Sequence, residues 1–258
     1  MHEKKIIVTA FDEQYLRLGS VLLASLAAHA TNAIDVFVID IGLSRYSARK
    51  LQKWTSTSEI NIELINLNDY KTLCLDFFQF KKIKNVKYYY RLLAPYLFPT
   101  AERILYLDSD IMCLRDFFEL FPIDLNGNVI AACQDKGFPF FQSRLKNSNF
   151  CVVNNFQSLS LSGDAPYFNS GVMLMDCELW KKNEITRRAI DISNENAKSI
   201  FLYDQYGLNI ALYQRWLGLD PRWNYIGDDF DSNIIFRHFA KIKPNDLRYT
   251  GRDKELFF

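Results

Sequence analysis

Short apolar runs alternate with longer segments of helical period along the first half of this 258-residue chain. Lys5 to Phe11 and Ile34 to Ile41 are nearly continuous apolar runs, the signature of strands covered on both faces. Asn61 to Leu67 alternates apolar with polar positions and predicts a third strand. Between them, Leu16 to Ala30 reads as a Leu- and Ala-rich helix. Ser44 to Ser56 reads as an amphipathic helix, with Ser44 placed to cap its first turn. A helix from about Tyr88 to Phe98, kinked or shortened by Pro95, precedes the apolar run Ile104 to Leu107. Strands alternating with helices predict an α/β fold, with a mostly parallel central sheet sandwiched by helices.

The alternation loosens after Asp110. Val129 to Cys133 and Phe168 to Met175 read as strands, and Cys177 to Asn196 and Asp204 to Trp216 as helices. Phe138 to Ser162, rich in Asn, Ser and Phe, reads as a long connection of the kind that is usually functional or disordered. Net charge is +1, so no global field points to nucleic acid, and any phosphate must be held locally. The five cysteines are odd in number and widely spaced, and read as small core hydrophobes rather than disulfides or a zinc site. Met1 to Lys5 is charged but the following apolar run ends at Asp12, so no signal peptide is expected. Val21 to Ala30 is too short to span a bilayer, and a cytoplasmic protein is expected.

The candidate chemistry starts at Asp108-Ser109-Asp110, where an apolar strand ends in two carboxylates one residue apart. Ligands of open α/β sheets bind at the carboxyl ends of strands. Paired carboxylates there repel unless hydrogen-bond donors or a cation compensate, and a divalent ion shared with nucleotide phosphates does so. A turn cap at Asp108 beside a solvated Asp110 fits the same residues. Of the three histidines, His238 follows Ile234-Ile235-Phe236, a strand-like run that delivers an imidazole to its end. Joined to Asp108 and Asp110 it makes an N,O,O set suited to Mn²⁺, with Mg²⁺ the second choice. A hydrogen-bonded core histidine is the alternative, and His2 and His29 are read that way.

LYLDSD at Leu105, YFNSGVMLMD from Tyr167 to Asp176, YDQYGLN from Tyr203 and HFAKIKP from His238 occur in this order after an opening KKIIVTAFDEQY. Together they resemble glycosyltransferase family 8, retaining sugar-nucleotide transferases that include lipopolysaccharide glucosyl- and galactosyltransferases and glycogenins. The resemblance runs roughly from Lys4 to Pro244 and implies a GT-A-type fold over a single domain, 1–258. Within it, about 1–115 forms the nucleotide-binding half and about 116–258 the donor-sugar and acceptor half. It implies a UDP-sugar donor, with glucose or galactose transferred to a hydroxyl of a saccharide or glycolipid such as lipopolysaccharide core. Asp108, Asp110 and His238 would hold the metal. Ala10, Asp12 and Tyr15 would read uracil, by close backbone approach, an acceptor for its N–H and a stacking face. Arg91, Ser109, Asn169, Asp204 and Lys243 would contact donor sugar and diphosphate, and Gln205 would lie on the β-face of the anomeric carbon. Asp204 is also placed to cap its helix. A neutral amide is a poor nucleophile beside the carboxylate of retaining hydrolases, so a front-face displacement is expected.

One segment departs from the family. The usual pattern after the histidine is two residues, a Gly, two more, then Lys-Pro-Trp. This chain reads His238-Phe239-Ala240-Lys241-Ile242-Lys243-Pro244-Asn245, one residue shorter and without the Gly that permits close backbone approach to phosphate. Lys241 is the expected substitute charge, matching Lys243 in its contribution. Phe77 to Lys82 and Phe138 to Phe156 offer aromatic and basic groups for a sugar acceptor or an anionic lipid, so contact with a membrane surface stays open. Two other readings remain. A haloacid-dehalogenase-type phosphatase also ends a strand in D-x-D, but near the chain start and followed by Thr or Val. A non-catalytic sugar-nucleotide binder would keep the same fold.

Overall fold

The computed structural model describes residues 5–55, 60–83, 85–145, 149–227, 232–251 and 254–255. His2 lies outside them. The first half is regular: β1 (Lys5–Phe11), α1 (Leu16–His29), β2 (Ile34–Asp40), α2 (Arg45–Thr55), β3 (Asn61–Asn66) and α3 (Lys71–Phe77). Leu18, Leu22, Leu23 and Leu26 form the buried stripe of α1, as helical spacing requires. Ser44 caps α2, accepting the Ser47 N–H at 3.1 Å. β1 pairs in parallel with β2 and with β4 (Arg103–Leu107), and β2 with β3.

The expected helix at Tyr88 to Phe98 is instead a 3₁₀ stretch, Val86–Leu93, followed by a single turn, α4 (Ala94–Leu97). Pro95 sits in the first turn of α4, where its missing N–H costs nothing, so a new segment starts there rather than a kinked long one. Further on come β5 (Ile111–Cys113), β6 (Ile130–Gln134) and β7 (Phe168–Asp176). The expected helix Cys177 to Asn196 is two: α5 (Cys177–Lys182) and α6 (Ile185–Glu195). They break at Glu184, left-handed at φ 49°, after Asn183 has turned its side chain onto the Leu179 carbonyl. α7 (Tyr203–Ala211) stops short of the expected Trp216, because Gln214 turns left-handed and Trp216 opens a short strand, β8 (Trp216–Gly218). β9 (Phe236–His238) completes the set.

The main sheet runs β3-β2-β1-β4-β7-β6-β8. Its pairs are parallel except those made by β7, which lies antiparallel to both β4 and β6. The mostly parallel sheet flanked by helices is therefore as the pattern predicts. Apolar layers cover both faces, one centred on Leu22, Val36, Leu105 and Leu174, the other on Leu93, Tyr106, Met173 and Trp180. The Phe138–Ser162 connection is anchored by a smaller core of its own, in which Phe141, Val152 and Val153 pack on Tyr167 and Tyr206. Cys113, Cys133 and Cys177 are buried free thiols, and Cys74 and Cys151 are half-buried and also free. No described helix is long and apolar enough to cross a membrane.

Candidate active site

β4 delivers Asp108 at its carboxyl end, and the chain turns through Ser109 and Asp110 directly into β5. β5 pairs antiparallel with β9 in a register that sets Ile111 opposite His238, and the Phe239 N–H donates to the Asp110 carbonyl at 2.9 Å. This two-stranded ladder brings residues 108–110 to residue 238. β7 adds its own residues, since the Asp108 N–H donates to the Gly171 carbonyl at 2.8 Å. Gly171 is required by packing: an added Cβ would strike the His238 ring, with Nδ1 only 2.8 Å away.

The carboxylates divide their oxygens. Asp108 Oδ1 accepts from Arg91 Nη1 at 2.7 Å and from the Tyr106 hydroxyl at 3.0 Å, while Oδ2 faces His238 Nε2 at 3.8 Å. Asp110 Oδ2 pairs with Lys243, while Oδ1 faces His238 Nε2 at 3.3 Å. Asp110 is held well below the usual carboxylate range: burial pushes upward, but the adjacent His238 and Lys243 outweigh it. Two carboxylate oxygens thus converge on an imidazole nitrogen, with donor atoms from all three residues within 4.8 Å of one another. Each of those oxygens belongs to a carboxylate already anchored through its other oxygen. The N,O,O set and its spacing fit a divalent ion.

Arg91 is buried and joins Asp108 to Asp204. Its Nε lies 3.2 Å from Asp204 Oδ2, and its guanidinium also stacks over Tyr106. Asp204 is not a helix cap as expected. It lies within the first turn of α7, whose cap residue Leu202 makes no side-chain bond, and its carboxylate turns inward to Arg91. Burial pushes Asp204 up to about 7 despite Arg91, and its Oδ2 is buried without a hydrogen bond. Gln205 is pinned. Its Oε1 accepts from the Ser170 N–H at 3.0 Å and hydroxyl at 3.2 Å, and its Nε2 donates to Asp135 at 3.2 Å.

These residues line one cleft of about 620 Å³, together with Ala10, Asp12, Tyr15, Ser109, Asn169 and Lys243. Asp12 Oδ1 accepts the Gln14 and Tyr15 N–H groups, and its Oδ2 meets Lys87 at 2.5 Å. Lys241 is exposed and does not line the cleft. A larger cavity of about 870 Å³ lies beside the β8 edge, lined by Trp216, Tyr213, Tyr225 and Lys136. It lacks the convergent carboxylates, so the smaller cleft is the better active site; Asp135 and Asn224, which line the larger cavity, hydrogen-bond to Gln205 and His238 of the smaller cleft. Sequence reading passed over Asp135, Asn224 and Tyr106. A strand ending in Gln134-Asp135 was the available signal for the first, and Asn224 had none.

The mostly parallel sheet, with its cleft at the carboxyl ends of the strands, is a GT-A-type fold shared with solved glycosyltransferase structures. The galactosyltransferase LgtC, in complex with donor and acceptor sugar analogues, matches with a TM-score of 0.72 at 21% identity, over 98% of this chain and 93% of that one. The bifunctional glycosyltransferase WbbM matches at 0.75 and 20% identity, over 95% and 47%. The sequence profile of Glycosyl transferase family 8 matches residues 6–247, and the chain belongs to that family. General stress protein A of Bacillus subtilis (strain 168) is 30% identical over 84% of this chain and 72% of its own length. The lipopolysaccharide 1,2-glucosyltransferase of Escherichia coli (strain K12) is 28% identical over 83% and 60%. The glycosyltransferase GlyF of Streptococcus pneumoniae serotype 4 is 26% identical over 97% and 57%, so the chain spans little more than half of some relatives.

Proposed function

We propose that the protein is a retaining hexosyltransferase that moves glucose or galactose from a UDP-sugar to a hydroxyl of a saccharide or glycolipid acceptor. The observation that carries this is the convergence of Asp108, Asp110 and His238 in a cleft that also holds Asp204 and Gln205. When bound, a Mn²⁺ or Mg²⁺ ion on Asp108, Asp110 and His238 would supply charge neutralisation for the departing nucleoside diphosphate. Arg91 and Lys243 keep positive charge beside those carboxylates for the diphosphate oxygens. Ala10, Asp12 and Tyr15 form the base end of the cleft. Asp204 Oδ2, ion-paired with Arg91 but without a hydrogen bond, is an acceptor suited to a sugar hydroxyl, and Asn169 and Ser109 line the same cleft.

Gln205 acts by position. Both lone pairs of its Oε1 are engaged by Ser170, which leaves none to attack an anomeric carbon and supports front-face displacement. In that step the acceptor hydroxyl bonds to the anomeric carbon as the bond to the diphosphate oxygen breaks on the same face, and the leaving diphosphate takes the proton. The cavity beside β8 offers aromatic faces and amides to a saccharide acceptor. Lys241 stays a candidate charge only for a cleft that closes further over its ligand. UDP release from UDP-glucose, UDP-galactose and their N-acetyl analogues with Mn²⁺ tests the reading. Release from one hexose donor, lost in Asp108→Asn, is expected; no release and no UDP binding would leave a different activity to be found.

A further inference from the structure

One buried row of side chains has every amide orientation forced. Asp135 Oδ1 accepts the N–H groups of Gly137 and Phe138 at 2.8 and 2.9 Å, and its Oδ2 faces Asn169 Nδ2 at 3.0 Å. A carboxylate accepts and does not donate, so Asn169 must turn its NH₂ toward Asp135. Asn169 Oδ1 then points the other way, accepting the Gly171 N–H at 3.0 Å and Asn224 Nδ2 at 2.8 Å. With its NH₂ committed, Asn224 presents Oδ1 to His238 Nδ1 at 2.8 Å. An oxygen acceptor at that distance requires Nδ1 to carry the proton. Asp135, Asn169, Asn224 and His238 are each at most 8% exposed, so bulk water does not compete for these bonds.

We propose that Asp135 is a positioning residue that sets the tautomer of His238 through Asn169 and Asn224. In the neutral ring a proton on Nδ1 leaves the lone pair on Nε2, and that nitrogen is the one turned toward Asp108 and Asp110. The same Asp135 oxygen accepts from Gln205 Nε2. One buried carboxylate therefore orients both His238 and Gln205. The functional consequence rests on the cation-site reading above; the tautomer of the neutral ring follows from the hydrogen bonds.

Asp135→Asn separates this role from mere packing, because it is nearly isosteric. Its oxygen stays with the two backbone N–H groups, and its new NH₂ confronts the NH₂ groups of Asn169 and Gln205. Asn169 and then Asn224 must flip or lose their bonds, and an Asn224 NH₂ turned to His238 drives the proton to Nε2. Nitrogen-15 NMR of the histidine rings reads this directly in metal-free protein, at a pH well above the ordinary imidazole value of about 6.5. With three histidines in the chain the assignment is tractable.

The parent protein should show a protonated Nδ1 and a lone-pair Nε2 at His238. Asp135→Asn should lose that pattern, and Mn²⁺ affinity in the presence of UDP, by calorimetry, should fall roughly 10–100-fold, as losing the orienting partner of a metal-bound histidine does. Asn224→Leu, which removes the acceptor but leaves Asp135 and Gln205 bonded, should mix the tautomers and weaken Mn²⁺ in the same range; Asn224→Asp, which restores an acceptor, should recover the Nδ1–H form. If Asp135→Asn does not fold, the two Asn224 variants decide. A parental nitrogen pattern in folded Asp135→Asn, or in Asn224→Leu, overturns the proposal. A parent protein that binds neither UDP nor Mn²⁺ overturns the hexosyltransferase reading, while the nitrogen pattern still decides the relay.

Discussion

Asp110 and Asp204 are the same residue type, both buried and lining one cleft, and their proton affinities move in opposite directions. Burial disfavours the anion at both. At Asp110 the adjacent His238 and Lys243 overcome it, and the carboxylate is held well below its ordinary range. At Asp204 the single guanidinium of Arg91, shared with Asp108, does not, and the group rises to about 7. The partners within reach of each carboxylate, more than burial, decide the outcome. Asp110 is thereby kept as an anionic donor suited to a cation, and Asp204 as an acid near neutrality suited to sugar hydroxyls.

The comparison breaks most completely if the shared cation is removed. Arg91→Met leaves Asp108 and Asp204 facing a buried site without their guanidinium. Stability should fall by about 3–5 kcal/mol, the usual cost of stripping one partner from a buried ion pair. Thermal melting checks it, with roughly 2–4 °C expected for each kcal/mol. Adding Asp204→Asn to Arg91→Met should recover part of that loss, since it deletes the anion left unpaired.

Asp108→Asn attacks the cation end alone. UDP affinity in the presence of Mn²⁺ should drop by more than the roughly 10–100-fold typical of an outer partner, with little change in melting temperature. Calorimetry with and without Mn²⁺ reads it, and equal affinity in both proteins would remove Asp108 from the site.

Asp204→Asn sharpens the other end through pH. Because the folded value of about 7 exceeds the ordinary 3.8, the folded chain binds more protons than the unfolded chain between them. Stability should therefore decline from Asp204 as pH rises through that window. Asp204→Asn should flatten the decline and melt higher than the parent above about pH 7 in ligand-free protein. Parallel melting curves across the window would contradict the burial account. The smallest effect separates two lysines. Lys243→Ala, at the cleft beside Asp110, should weaken UDP-sugar binding several-fold, whereas exposed Lys241→Ala should stay within about twofold. A comparable loss from both would restore Lys241 as the substitute phosphate contact expected from sequence.

The regular elements of the first half were legible because each β/α unit carries its own period, and Asp108 and Asp110 stand out at the end of an apolar run. Helix ends in the second half were not, since Glu184 and Gln214 adopt left-handed backbone that their residue types do not announce. The cap expected at Asp204 failed for a related reason. Its tertiary partner, Arg91, lies more than a hundred residues away and draws the carboxylate inward.

By itself, the sequence determined the alternation of strands and helices, the D-x-D at a strand end, and the ordered motifs that mark the family. Periodicity, propensity and local spacing are written over a few residues each. Only the tertiary structure decided which charges share a partner and which way amides point. The β5–β9 register sets His238 against Asp110, and β6, β7 and the segment before β9 bring Asp135, Asn169 and Asn224 into one row. Those relations join residues up to 133 positions apart, as Asp110 and Lys243 are. The electrostatics depend on burial and on neighbours from several elements at once, so no single segment of the chain encodes them.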